Sequence, residues 1–144
     1  MKCFTFINSD EEEKVIIYAK EKTSLVEEIE KLVAATGVTL TGTLDETSIL
    51  INPADVTCFV VESGKIFALI NDKKYQLKER LYQLEDMPFN EFFVKLNQSC
   101  FANIKKIKEF KSSIGGSIMV VFQNGYVDYI SRRELKNVKE RIGL

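Results

Sequence analysis

Residues 117–130 read SIMVVFQNGYVDYI. Two apolar, β-branched runs flank Asn124-Gly125, and Asn-Gly between such runs is the strongest short hairpin signal, because both residues tolerate the positive φ of a tight turn. This stretch commits the carboxy-terminal part of the chain to antiparallel β-structure. Working back from it, TCFVVE (57–62), SGK (63–65) and IFALI (66–70) read as strand, turn, strand. NDKK (71–74) is a turn into a third strand, YQLK (75–78). ERLYQLED (79–86) reads as a short helix, FFVKLNQSCFAN (92–103) as a strand running into something irregular, and IKKIKEFK (104–111) as a strand with one wet face.

Upstream the pattern changes. Residues 2–7 and 14–20 are rich in β-formers and are expected to be strands. TSLVEEIEKLVAATG (23–37) is expected to be a helix, capped by Thr23 or Ser24 with Glu27 closing a capping box, and stopped by Gly37. Leu25, Ile29 and Leu32 line one side of it, joined by Val26 and Val33. The turn-forming residues of TGTLDETSILINPAD (41–55) mark a connection, with a boundary near residues 42–50. The expected organisation is a small α+β segment over residues 1–48, followed by a mostly antiparallel β domain over 49–144 with a carboxy-terminal helix. Overall the class is α+β.

Composition excludes more than it includes. The 144 residues contain no histidine, which removes His-based triads, Cys–His dyads and most zinc sites. Neither phosphate-loop nor dinucleotide-binding glycine spacing is present. Cys3, Cys58 and Cys100 show no metal spacing and are expected to be buried, reduced and apolar in behaviour. No catalytic constellation emerges, and no cofactor, metal or small-molecule substrate is expected. No apolar run approaches the ~18 residues of a membrane span, and the first residues do not form a signal peptide, so a cytoplasmic location is expected. The net charge of −1 is unevenly spread: residues 1–50 hold 5 Lys+Arg against 10 Asp+Glu, whereas residues 51–144 hold 15 against 11. The second part is suited to polyanions.

Two constellations sharpen that reading. In Ser131-Arg132-Arg133-Glu134, Ser131 and Glu134 form a capping-box pattern at the start of a last helix whose stripe is Leu135, Val138 and Ile142. Two cations in the first turn oppose the helix dipole. Either an acid such as Glu134 screens them, or the site takes an anion such as phosphate. In the second constellation, Lys95 and Asn97 alternate with Val94 and Leu96, so the polar pair is expected on one face, with Gln98 and Ser99 entering a loop. Lysine holds phosphates, and Asn or Gln matches the adenine edge. The plainer reading is a wet strand end serving a turn.

Taken together, these stretches resemble the LytTR DNA-binding domain. The resemblance covers roughly residues 50–144. It rests on PADVTCFVVESGK (53–65), FFVKLNQSCFANIKKIKEF (92–110), Gly115-Gly116, Asn124-Gly125-Tyr126 and ISRRELKNVKERIGL (130–144). The family pattern F-[IV]-[RK]-x-[HNS]-[RKQ]-S-x-x-[VA]-N falls on Phe93, Val94, Lys95, Asn97, Gln98, Ser99, Ala102 and Asn103. The family's S-R-R-x-L-K falls on Ser131, Arg132, Arg133, Leu135 and Lys136. Where relatives often have His-Arg, this chain has Asn97-Gln98, so their operator is not transferable. The resemblance implies a transcriptional regulator that reads two successive major grooves of double-stranded DNA through loops and element ends. It implies base contacts from Lys65, Gln98 and Arg133, and phosphate contacts from Lys95, Asn97, Ser99, Arg132 and Lys136. A homodimer on paired sites is expected. The alternative is an interaction module that docks a sensor or membrane partner through the acidic amino-terminal part.

Overall fold

The computed structural model describes residues 1–143, and the side chains of all of these but 34–36. Leu144, where the family resemblance ends, lies outside the described residues. Helix α1 (Ser24–Thr36) precedes the hairpin β1 (Leu40–Leu44) and β2 (Thr47–Ile51). Three strands follow, β3 (Cys58–Glu62), β4 (Lys65–Ile70) and β5 (Lys73–Leu77), then helix α2 (Leu81–Glu85) and a 3-10 turn at Pro88–Phe92. A second hairpin, β6 (Phe93–Asn97) and β7 (Cys100–Asn103), leads to β8 (Ile107–Ser112), β9 (Ile118–Phe122), β10 (Val127–Ile130) and helix α3 (Leu135–Ile142).

All strand pairs are antiparallel. They make a seven-stranded sheet in the order β2-β1-β5-β4-β3-β7-β6 and a three-stranded sheet in the order β10-β9-β8. The larger sheet is covered on one face along its length and on the other over β4, β3, β7 and β6. One face packs an aromatic cluster in which Phe59 lies 5.8 Å from Phe89, 5.2 Å from Phe93 and 6.4 Å from Phe101, ring centre to ring centre. Leu84 of α2 and Phe89 of the 3-10 turn close it. The other face buries Cys58, Val60, Val94, Leu96, Cys100 and Ala102 against Val120, Phe122 and Ile130 of the small sheet and Val138 of α3. Strands buried on both faces must be apolar throughout, which is why CFVV and CFA show no alternation. Full burial of each Phe or Val among them contributes about 1.5–3 kcal/mol.

The predicted hairpins of the carboxy-terminal part are present. At Asn124-Gly125 the loop has three residues rather than two. Gly125 N–H donates to Phe122 O (3.0 Å), only Gly125 of the pair has positive φ (89°), and Phe122 N–H donates to Tyr126 O (2.9 Å), a turn followed by a glycine bulge. Leu135, Val138 and Ile142 pack onto the second core, as their spacing requires.

Several amino-terminal expectations are corrected. Residues 2–7 and 14–20 form no strand, because no neighbouring strand offers them backbone partners. The β-structure of this part comes instead from residues 40–51, expected to be a connection. Their hairpin joins the large sheet through Thr43 and Gln76, so a division between residues 48 and 49 would cut β2. Gly42 is required there, since a Cβ would collide with Ile51 and Tyr75 of the adjacent strands. Thr23, not Ser24, caps α1, its Oγ1 accepting from Val26 N–H at 3.4 Å. Of the predicted stripe, Val26 is buried, while Leu25 and Leu32 remain exposed. Cys58 and Cys100 are buried as expected, but Cys3 is exposed.

Asn103, within the family pattern, is a buried bracket. Its Nδ2 donates to Val56 O (2.9 Å) and Ala54 O (3.4 Å), and its Oδ1 accepts from Lys105 N–H (3.1 Å). Asn103→Ala removes those partners inside the protein. It is expected to lower stability by about 1–3 kcal/mol, measured as a reduced urea midpoint at unchanged m-value.

Candidate nucleic-acid interface

Three turns come together along one edge of the molecule, joined by backbone hydrogen bonds. The β3–β4 turn is a two-residue connection with Ser63 (φ 50°) and Gly64 (φ 75°) both left-handed, a geometry that suits the twist of the flanking strands. Lys65 follows it and is exposed. Val61 N–H donates to Ser99 O (2.9 Å), which sets the β6–β7 turn beside it. On the other side, Ser131 N–H donates to Leu96 O (2.9 Å), bringing the turn after β10 against the end of β6.

This last bond changes the reading of the arginines. Ser131 accepts from Glu134 N–H through its carbonyl (3.1 Å) and its Oγ (3.4 Å), closing a turn over residues 131–134. The Ser131 amide is taken by β6, so Glu134 cannot return the second bond of a capping box. Helix α3 starts only at Leu135. Arg132 and Arg133 therefore sit in a turn ahead of the helix rather than in its first turn. Both are exposed, and neither pairs with Glu134 or with any other acid among the described residues.

A β-bulge decides the other constellation. In the pairing of β6 with β7, Lys95 faces Phe101 and Asn97 faces Cys100, so Leu96 is the extra residue. One inserted residue sends the side chains beyond it to the opposite face. The expectation that Lys95 and Asn97 share a face is therefore not met. Lys95 lies on the aromatic side, where it pairs with Glu85 of α2 at 3.4 Å, each side chain about a third exposed (32% and 28%). It lines a groove of about 230 Å³ with Glu85, Asn90, Asn137 and Arg141. Asn97 turns toward the small sheet. Its Nδ2 donates to Asp128 Oδ1 (2.9 Å) and Tyr129 O (2.8 Å), and its Oδ1 accepts from Ser99 N–H (2.8 Å). With its donors and its acceptor engaged inside the protein, Asn97 braces the turn instead of reaching outward.

Asp128 is the centre of this brace and was missed by sequence reasoning. It also accepts from Tyr129 N–H (2.8 Å) and, at Oδ2, from the Tyr126 hydroxyl (3.0 Å). The signal was present: an aspartate inside a strand, between Val127 and Tyr129, is disfavoured unless its carboxylate has partners. Burial, then the nearby Asp128 charge, pushes the Tyr126 phenol well above its ordinary range. Contact with the Cys58 thiol, then burial, does the same to Cys100.

Lys65, Gln98, Ser99, Arg132, Arg133 and Lys136 are thus exposed on or beside the three turns. Among the described residues none of their side chains has an ion pair or hydrogen bond. No group of three or more metal-ligating side chains forms among the described residues. No helix is long and apolar enough to cross a membrane.

Residues 46–143 match the family model of the LytTr DNA-binding domain. The whole chain is 32% identical over 147 residues to an uncharacterised HTH-type transcriptional regulator of Staphylococcus aureus (strain NCTC 8325 / PS 47), covering 99% of that protein. It is 31% identical, with the same coverage, to the counterpart in the bovine strain RF122 / ET3-1. Its fold matches the LytTr DNA-binding domain of a methyl-accepting/DNA response regulator from Bacillus cereus at a TM-score of 0.69 and 15% identity, over 74% of this chain and 97% of that one. Despite the name carried by the Staphylococcus proteins, no two α-helices of this chain are consecutive, so its described residues hold no helix-turn-helix.

Two outcomes test the brace. Asp128→Ala leaves three donors without their shared acceptor and is expected to cost about 1–3 kcal/mol. It should weaken DNA binding while leaving the salt slope of binding unchanged, because no cation is removed; anisotropy titrations at several salt concentrations measure both. The raised Cys100 and Tyr126 values mean that the unfolded chain loses these protons at lower pH than the folded one. Stability should hold below about pH 8.5, then fall as pH rises, first through Cys100 and past about pH 10 through Tyr126. Urea midpoints across this range check it, and Cys100→Ala should flatten the first decline.

Proposed function

This chain belongs to the LytTR DNA-binding domain family, and we propose that it is a sequence-specific transcriptional regulator that binds promoter DNA through the three-turn edge. The observation that carries the reading is the set of cationic and amide side chains held unpaired on turns that backbone hydrogen bonds fix relative to one another. Among the described residues no acid pairs with Arg132, Arg133 or Lys136, and a polyphosphate backbone neutralises such charges with release of counterions. A protein that reads grooves by turns needs those turns rigid, because a base contact discriminates only when its donors are placed in advance.

The roles follow from side-chain chemistry. Arg133 offers a guanidinium fork to guanine, Gln98 an amide to adenine, and Lys65 a single charge to a guanine edge. Ser99, Arg132 and Lys136 hold phosphates and set register. Lys95 and Asn97 act from behind, the first through Glu85 and the second through Asp128. Residues from β3 onward perform the binding, and the segment ahead of β1 serves dimerisation or regulation. The protein works in the cytoplasm, as a homodimer on paired sites, with no substrate or cofactor. The alternative of a docking module without nucleic acid gives the unpaired edge no purpose.

Selection of bound duplexes from a random pool supplies the operator and the test. Against that operator, Arg133→Ala should lose about 1–3 kcal/mol and relax one base position. Lys136→Ala should weaken all sequences alike and reduce the log–log salt slope by about 0.9. No preference for any duplex, or an affinity indifferent to salt, refutes the proposal.

A further inference from the structure

An open strand edge invites another strand, and soluble proteins guard such edges with charge, shortness or cover. Three of the four edges here are guarded. The β6 edge is closed by Ser131 and by the Asn97 bonds to β10. The β8 edge carries exposed Lys108 and Lys111, and β10 is four residues long with Asp128 inside it. The β2 edge is different. Its sequence, TSILI, has no charge, no strand pairs with its outer side among the described residues, and Leu50 is 77% exposed.

The same chain carries a strand-forming stretch with no partner. Val15-Ile16-Ile17-Tyr18 forms no regular structure, with Val15, Ile16 and Tyr18 exposed at 58%, 61% and 94%. An apolar, β-branched run left in water and a bare apolar edge are complementary needs. Their flanks are complementary as well. Lys20 ends the stretch with no ion pair among the described residues, whereas Lys14 pairs with Glu11 at 3.4 Å, and the turn at the start of β2 carries Asp45 and Glu46. Antiparallel pairing with β2 brings the Lys20 end beside Asp45 and Glu46.

We propose that two copies of this chain associate by reciprocal strand addition, residues 14–20 of each copy pairing antiparallel with β2 of the other. Within one copy the stretch stays unpaired, while α1 behind it is held to the 3-10 turn by Lys31 and Glu91 at 3.3 Å. Reciprocal exchange makes the contact isologous and closed, so it stops at a dimer. It supplies backbone partners to β2 and to residues 14–20, and covers Leu50.

Sedimentation equilibrium of the full chain without DNA tests this, so the outcome is independent of whether DNA is bound. A dimer is expected. Ile16→Pro, which removes a backbone donor from a segment without regular structure, and Leu50→Lys, which places a guarding charge on an already exposed position, should each raise the dimer dissociation constant at least about tenfold. Lys20→Glu should weaken the dimer, and adding Glu46→Lys should restore it. A monomeric full chain overturns the proposal. So does a dimer that tolerates Ile16→Pro but not Leu50→Lys, which would mean β2 pairs with its own copy, and so does a dimer indifferent to both.

Discussion

One extra residue in β6 sets the geometry on which the three-turn edge depends. Without the bulge at Leu96, Lys95 and Asn97 would point the same way and the strand would end as an ordinary wet edge. With it, Lys95 meets Glu85 on the aromatic side and Asn97 meets Asp128 and Tyr129 on the other. The strand is thereby pinned to α2 on one face and to the small sheet on the other. The turn that follows, carrying Gln98 and Ser99, inherits its position from both.

The energetic logic of the molecule is a separation of tasks. Cohesion comes from apolar surface on both faces of β3, β6 and β7, with the Phe59 cluster on one side and the small sheet and α3 on the other. Polar groups inside this core are held to brackets such as Asn103, because a buried polar group without a partner costs about 1–3 kcal/mol. The exposed cations and amides are left on turns, where solvation keeps them at little cost. These exposed polar groups are thus kept apart from the packing, and side chains such as Arg133 or Lys65 contribute nothing to the core they stand on.

The same separation leaves helices α2 and α3 committed to packing. The apolar stripe of α3 is committed to the second core through Val138, and α2 spans only five residues. The elements left with free ends are turns, each tied to its neighbour by a main-chain bond. The edges of the sheets follow a related rule: covered, charged or short where the chain must stay soluble, and bare at β2.

The sequence by itself determined the β3–β4–β5 meander, the β9–β10 hairpin, the helices and the stripe of α3, since these follow from periodicity and turn chemistry within a few residues, but it took the β6–β7 hairpin for one strand running into something irregular. It misplaced the amino-terminal strands, because residues 2–7 and 14–20 have strand propensity but find no neighbour among the described residues, and propensity without pairing is not structure. Tertiary structure alone decided the bulge, the partners of Lys95 and Asn97, the role of Asp128, and the displacement of Arg132 and Arg133 from the helix into a turn. The role of Asp128 and the place of the arginines depend on hydrogen bonds between residues far apart in the chain, as between Asn97 and Asp128 or Ser131 and Leu96, and local pattern carries no record of such contacts.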